Sequence, residues 1–140
     1  TRGFQPYLKL GLQNYPQYKP QNYTLIIDDI EINTQALFVS FSNSNQFGFD
    51  VEIANNASLC DGLIDVVIVQ KPPLPLLFWT AQLLFWRKFD NSIYVNAYQA
   101  KKVTVKSNNP TGVNLDGEYA EFDTDLTFEI MPDSLNVIIP

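Results

Sequence analysis

The densest group of side chains able to do chemistry lies late in the sequence, where Asp116, Glu118, Glu121, Asp123 and Asp125 crowd one stretch. Glu118 is the notable member. It follows the dipeptide Asp116-Gly117, a strong two-residue turn signal, at the edge of a strand where a side chain can be held rigidly. A carboxylate fixed in that way can serve as a general base. The competing reading is a solvated acidic loop. A second pair, Asp61-Gly62, sits between Cys60 and an apolar run. Taken singly, each Asp-Gly pair reads as a hairpin turn.

Absent residue types narrow the chemistry. The chain has no histidine, which removes Ser-His-Asp and Cys-His catalysis and His-based zinc sites. Cys60 is the lone cysteine, so no internal disulfide can form, which suits a reducing, cytoplasmic compartment. What remains is carboxylate, Lys or Tyr chemistry, or a metal held by oxygen ligands. The net charge of −6 and the lack of a basic run argue against a nucleic-acid surface. Lys101, Lys102 and Lys106 are spread along one strand-like segment, and Arg87 and Lys88 close an apolar stretch. Thr1 to Pro20 shows no apolar run of the signal-peptide kind.

The elements that must position these groups are mostly strands. Thr1 to Asn14 predicts a short N-terminal helix, and Pro16 and Pro20 mark an extended linker. Tyr23 to Ile27 is rich in strand formers, Asp28-Asp29 makes a turn, and Ile30 to Ile32 supplies a return strand. Gln35 to Ser42 and Phe47 to Ile53 alternate with period 2, the pattern of half-buried strands. Leu63 to Val69 is a continuous β-branched run, typical of a strand buried on both faces. Leu74 to Phe89 reads as the one prominent helix. Pro75 falls in its first turn and Arg87 and Lys88 in its last, facing the negative end of the helix dipole.

That helix is apolar on nearly every side, with only Thr80 and Gln82 polar before its basic end. It is too short to span a bilayer, which takes about 20 apolar residues. Two readings stand: a helix buried against the sheet, or one lining or facing lipid, with Trp79 and Trp86 on a shared face. Strands then resume over Ile93 to Tyr98, Lys102 to Ser107, Thr127 to Met131 and Leu135 to Ile139. Turn signals at intervals of about ten residues favour a mainly β fold, a two-sheet antiparallel β-sandwich or distorted barrel. At 140 residues the chain is read as a single domain, since a chain near that length buries roughly 68–70% of its unfolded surface.

Taken in order, the segments resemble the C-terminal lobe of the diacylglycerol kinase and sphingosine kinase-like lipid kinase family, of the bacterial type. Asn43 to Phe49 stands where that family has an Asn leading a Gly-rich turn, although only Gly48 is glycine here. Ile53 to Val66 follows the family's stretch ending in D-G and a hydrophobic strand, with Asn55 or Asn56 in place of its usual Pro. Asn114-Leu115-Asp116-Gly117-Glu118 matches its D-G-E motif, and Leu135 to Pro140 its closing strand. The likeness covers about Pro20 to Pro140 and rests on order and spacing.

The resemblance implies an ATP-dependent transfer of phosphate to a hydroxyl of a diacylglycerol-like or sphingoid lipid. Glu118 would be the catalytic base, and Asp116 and Gly117 would shape the loop that aims it. Asp61, with the backbone carbonyls of Ser58 and Leu63, would match a structural Mg²⁺ site. The family's phosphate-holding G-G-D-G-T motif does not occur in the chain. ATP would therefore be bound mainly by a separate N-terminal nucleotide-binding lobe, and the chain alone would be inactive. A face left bare by that lobe could support a homodimer. The alternative is a non-catalytic β-sandwich binding module for carbohydrate or adhesion.

Overall fold

The centre of the computed structural model, which describes residues 11, 13–44, 46–48, 51–54, 57–106, 111–132 and 134, is the strand Ile64–Val69. Every residue of it is buried. Five strands precede it. β1 (Gln21–Ile27) and β2 (Ile30–Ala36) pair antiparallel across the tight turn Asp28-Asp29, and β3 (Phe38–Ser42) follows after one residue. The short strands β4 (Gln46–Gly48) and β5 (Val51–Glu52) pair with each other. The central strand is then β6, followed by the helix α1 (Leu74–Phe85) and a 3₁₀ turn over Phe89–Asn91. β7 (Val95–Ala100), β8 (Lys102–Lys106), β9 (Thr111–Leu115), β10 (Glu118–Phe122) and β11 (Leu126–Glu129) complete the described chain.

Two open antiparallel sheets result. One has the order β11-β8-β1-β2 and the other β3-β6-β7. Between them lie Leu25, Ile27, Val103 and Val105 from the first sheet and Ile64, Val66, Ile68 and Ala100 from the second. Among the described residues the fold is thus a mainly β sandwich with one long helix and no closed barrel. Burial of such side chains is the main stabilising term: truncating a fully buried Leu such as Leu25 to Ala typically costs 2–5 kcal/mol, or roughly 3 here. On the outer face of the second sheet, Val67, Val69 and Val95 pack with Ile53, Ala54, Phe89 and the helix residue Leu83. β6 therefore has core on both sides, as its apolar run, interrupted only by Asp65, requires.

The chain changes sheets through single residues. Leu37 separates β2 from β3, and its N–H donates to the Val69 carbonyl at 2.7 Å. Lys101 separates β7 from β8. This second corner is held from the β1–β2 turn. Asp28 Oδ1 accepts the backbone N–H groups of both Lys101 and Lys102 at 3.0 Å, and the Asp28 N–H donates to the Lys102 carbonyl at 2.8 Å. Asp28 does this from the left-handed region, at φ 50°, which Asp tolerates better than most residues.

Several expectations need revision. Gln35 to Ser42 forms two strands in different sheets, because the backbone turns the corner at Leu37. The single strand expected over Phe47 to Ile53 is split between paired β4 and β5. The helix ends at Phe85, so Arg87 and Lys88 lie past its last turn. There Arg87 adopts φ 56° and the Lys88 N–H reaches back to the Leu83 carbonyl at 3.0 Å, the geometry of a Schellman cap. The N-terminal helix expected over Thr1–Asn14 lies outside the described residues apart from Gly11, Gln13 and Asn14, which are helical. The closing strand expected over Leu135–Ile139 lies outside them as well.

Candidate functional site

Glu118 opens β10, immediately after a two-residue hairpin loop. Asp116 and Gly117 both have positive φ, 49° and 99°, as a type I′ turn requires. The turn is braced from within: the Gly117 N–H donates to Asn114 Oδ1 at 2.8 Å. Leu115 and Glu118 are paired directly across it. The hairpin reading of Asp116-Gly117 therefore holds, and it leaves the Glu118 carboxylate exposed at a fixed position beside a rigid turn. At Gly112 the ring of Tyr119 lies 2.9 Å from where a Cβ would stand, so the ring packs flat against bare backbone. Among the described residues β9 and β10 hydrogen-bond as strands only to each other.

Asp61-Gly62 takes another form. The Leu63 N–H donates to Asp61 Oδ1 at 3.0 Å, an Asx turn, and Gly62 sits at φ 68°. The Cys60 N–H donates to the Ser58 hydroxyl oxygen at 3.3 Å. The expected two-residue hairpin is absent here, because β6 pairs with β3 and β7 and not with the strand before the loop. The segment 57–63 is instead a tight exposed loop wound about Asp61 and leading into the central strand.

The residue that sequence reasoning passed over is Asp65. It lies one step inside β6, is only 5% exposed, and faces Gln99 on β7 and Ser42 on β3 in the register. Gln99 Nε2 donates to its Oδ1 at 3.3 Å, while Oδ2 is buried without a partner. Burial pushes the Asp65 carboxyl above the usual carboxylate range. The nearby Asp61 charge adds to that, and the Gln99 hydrogen bond opposes it. The available signal was plain: a lone acid in the otherwise apolar strand Ile-Asp-Val-Val-Ile-Val.

An orphaned carboxylate oxygen beside a second carboxylate is a place where a hard cation would satisfy both. The donor set fits such an ion: oxygen only, with Asp61 exposed and the Ser58 and Leu63 carbonyls on the same loop. Among the described residues no three His, Cys, Asp or Glu side chains converge as a metal site. A cation here would lean on backbone carbonyls and water. The structure thus brings Asp116, Gly117 and Glu118 together on the hairpin, and Ser58, Asp61 and Leu63 together on the loop. Among the described residues no hydrogen bond or ion pair joins the two groups.

Residues 2–139 match the family described as the YegS C-terminal NAD kinase beta sandwich-like domain. A diacylglycerol kinase of Bacillus subtilis (strain 168) is 26% identical over 113 residues, which are 81% of this chain and 37% of that protein. Two solved structures from Bacillus anthracis str. Sterne that carry diacylglycerol kinase names share the fold. The first has a TM-score of 0.68 at 14% identity, covering 94% of this chain and 46% of its own. The second has a TM-score of 0.55 at 15% identity, covering 91% and 48%. At such identities the structural likeness shows the fold alone. The chain spans less than half the length of each of these relatives.

Proposed function

For a chain that belongs to the YegS C-terminal NAD kinase beta sandwich-like domain family, we propose the role of substrate-side lobe in an ATP-dependent lipid kinase. Its acceptor is a hydroxyl of a diacylglycerol-like or sphingoid lipid. The observation that carries this reading is the braced type I′ hairpin, which presents the Glu118 carboxylate exposed at a fixed point. Phosphoryl transfer asks the protein chiefly for positioning and charge neutralisation. A lobe that supplies an aimed base for the acceptor meets the first demand.

In this scheme Glu118 accepts the proton of the lipid hydroxyl as its oxygen bonds to the γ-phosphorus of ATP. The bond from that phosphorus to the bridging oxygen breaks, and ADP leaves. Asp116 and Gly117 fix the approach of the base through the turn. Asp61, with the Ser58 and Leu63 carbonyls, would hold Mg²⁺ as a structural ion. That ion would steady the 57–63 loop against the Asp61–Asp65 repulsion. ATP and its own Mg²⁺ are assigned to a nucleotide-binding lobe, in line with the share of the relatives' length that this chain leaves uncovered. The chain alone then transfers no phosphate.

The test is radiolabelled phosphate transfer from ATP to diacylglycerol in mixed micelles, with the chain alone and joined to its nucleotide-binding lobe. Transfer is expected only from the joined protein. There Glu118→Gln should lower turnover by roughly 10²–10⁴-fold, the usual contribution of a general base, with ATP affinity unchanged. Transfer by the chain alone, or near-normal turnover in the Glu118→Gln protein, would overturn the reading.

A further inference from the structure

Helix α1 is mounted with Thr80 inward. Thr80, one of its few polar residues, is 7% exposed, and its hydroxyl donates to the Leu76 carbonyl one turn back at 3.0 Å, so it needs no other partner. Leu77 and Leu83 flank it on the inner side, with Leu83 packed on the outer core. The opposite side carries Leu74, Phe78, Trp79 and Trp86, which are 60%, 66%, 62% and 58% exposed. The rings of Phe78 and Trp79 meet edge-on, with centroids 6.4 Å apart. With Phe and Trp side chains of roughly 150–250 Å² each, this face exposes about 500 Å² of apolar surface. That is as large as the biggest patch on most monomers, which is often functional.

The charge around this face opposes that of the chain as a whole. From Val66 to Phe89 there is no acidic residue, while Lys71, Arg87 and Lys88 are basic, in a chain of net charge −6. Arg87 and Lys88 are exposed just past the helix, next to Trp86. Aromatic side chains bordered by Arg and Lys match the boundary between acyl chains and anionic headgroups. A second copy of the chain is a poorer occupant, since a stable protein interface needs about 800 Å² from each partner. A membrane surface sets no such shape requirement. The helix cannot cross a bilayer: among the described residues no helix is long and apolar enough.

We propose that the outward face of α1 docks the protein on an anionic membrane surface, with Leu74, Phe78, Trp79 and Trp86 entering the acyl boundary and Lys88 meeting headgroups. The inference rests on the kinase reading only for its purpose, which is to deliver the lobe to a lipid acceptor. Its test needs neither acceptor nor ATP, so either idea can fail alone.

The chain's only two tryptophans are Trp79 and Trp86, so tryptophan emission, excited selectively over tyrosine, reports on this face. The full chain is titrated with vesicles of phosphatidylcholine and phosphatidylglycerol at 7:3, and with phosphatidylcholine alone. A blue-shifted emission, quenched by brominated acyl chains and stronger on the anionic vesicles, is expected. Phe78→Ser should weaken partitioning by roughly tenfold or more, and Lys88→Gln by about fivefold at low salt. Unchanged emission on both vesicles would overturn the proposal. So would a blue shift that follows protein concentration without vesicles, which assigns the face to a second copy. A vesicle-independent blue shift when the nucleotide-binding lobe is attached assigns the face to that lobe, with the same consequence.

Discussion

Replacing Asp28 should loosen the joint between the two sheets. Its Oδ1 accepts two backbone N–H groups, those of Lys101 and Lys102, each at 3.0 Å. Hydrogen bonds to charged groups contribute roughly 1.5–3 kcal/mol each when buried. The Asp28 side chain is exposed, and water can recover part of the loss, so about 2 kcal/mol is assigned to the pair. Asp28 also sits at φ 50°, where Ala costs roughly 1 kcal/mol more than Asp or Asn. Asp28→Ala should therefore destabilise by about 3 kcal/mol. Asp28→Gly, relieved of the backbone cost, should lose about 2 kcal/mol, and Asp28→Asn, which keeps an acceptor and tolerates the conformation, less than about 1 kcal/mol. Urea unfolding followed by far-ultraviolet circular dichroism measures each as a shift in midpoint at constant slope. An Asp28→Ala protein within about 0.5 kcal/mol of the parent would refute the reasoning. So would Asp28→Gly and Asp28→Asn of equal stability.

Three further outcomes follow from the same geometry. Gly117→Ala should weaken the hairpin by about 1 kcal/mol from backbone strain alone, because φ is 99° and an added Cβ meets nothing within 4 Å; amide exchange in residues 111–122 checks it, and unchanged protection counts against the I′ assignment. Arg87→Gly should raise the unfolding midpoint, by an amount corresponding to roughly 0.5–1 kcal/mol, since Arg occupies a left-handed cap position that favours glycine; a lower midpoint would mean that the Arg87 side chain matters more than its backbone. Burial, and then Tyr18, raise the Tyr23 phenol above its ordinary value of 10.0; the unfolded chain therefore loses this proton first, and the stability it represents is complete below pH 10 and lost as pH rises through the folded value. Thermal midpoints between about pH 9 and pH 11, roughly one unit on either side of the free phenol value, should fall less steeply in Tyr23→Phe, and superimposable profiles would rule the effect out.

The sequence was a good guide where one local rule acted alone. The run Ile64–Val69 could only be a strand covered on both faces, and it is. Asp28-Asp29 and Asp116-Gly117 turn where their side chains and φ preferences direct. The alternation from Gln35 to Ser42 was misleading because each half alternates by itself, while the core-facing positions change phase at the corner, from Ile32 and Ala36 on β2 to Val39 and Phe41 on β3. Helix α1 was legible as a helix but not in its rotation. Apolar residues surround it, and only the self-satisfied hydroxyl of Thr80 allows a polar position to face the core. Asp65 was hidden by the same expectation that located its strand, since an apolar run invites a reader to overlook its one charge. Of the candidate site, the Asp116-Gly117 turn was readable, while Asp61-Gly62 was not a hairpin because the strand that follows it pairs with partners distant in sequence.

The hairpin of β9 and β10 has a consequence beyond its aim. Among the described residues the ribbon shares no ladder with a neighbouring sheet; a two-stranded ribbon of that kind is marginal on its own, and such a unit can open sub-globally at a free energy below that of the whole domain. The sandwich would stay folded while the ribbon shifts. On the kinase reading, the turn fixes Glu118 relative to its own ribbon, and a second lobe closing over an acceptor would set the place of the ribbon as a whole without disturbing the core beneath it.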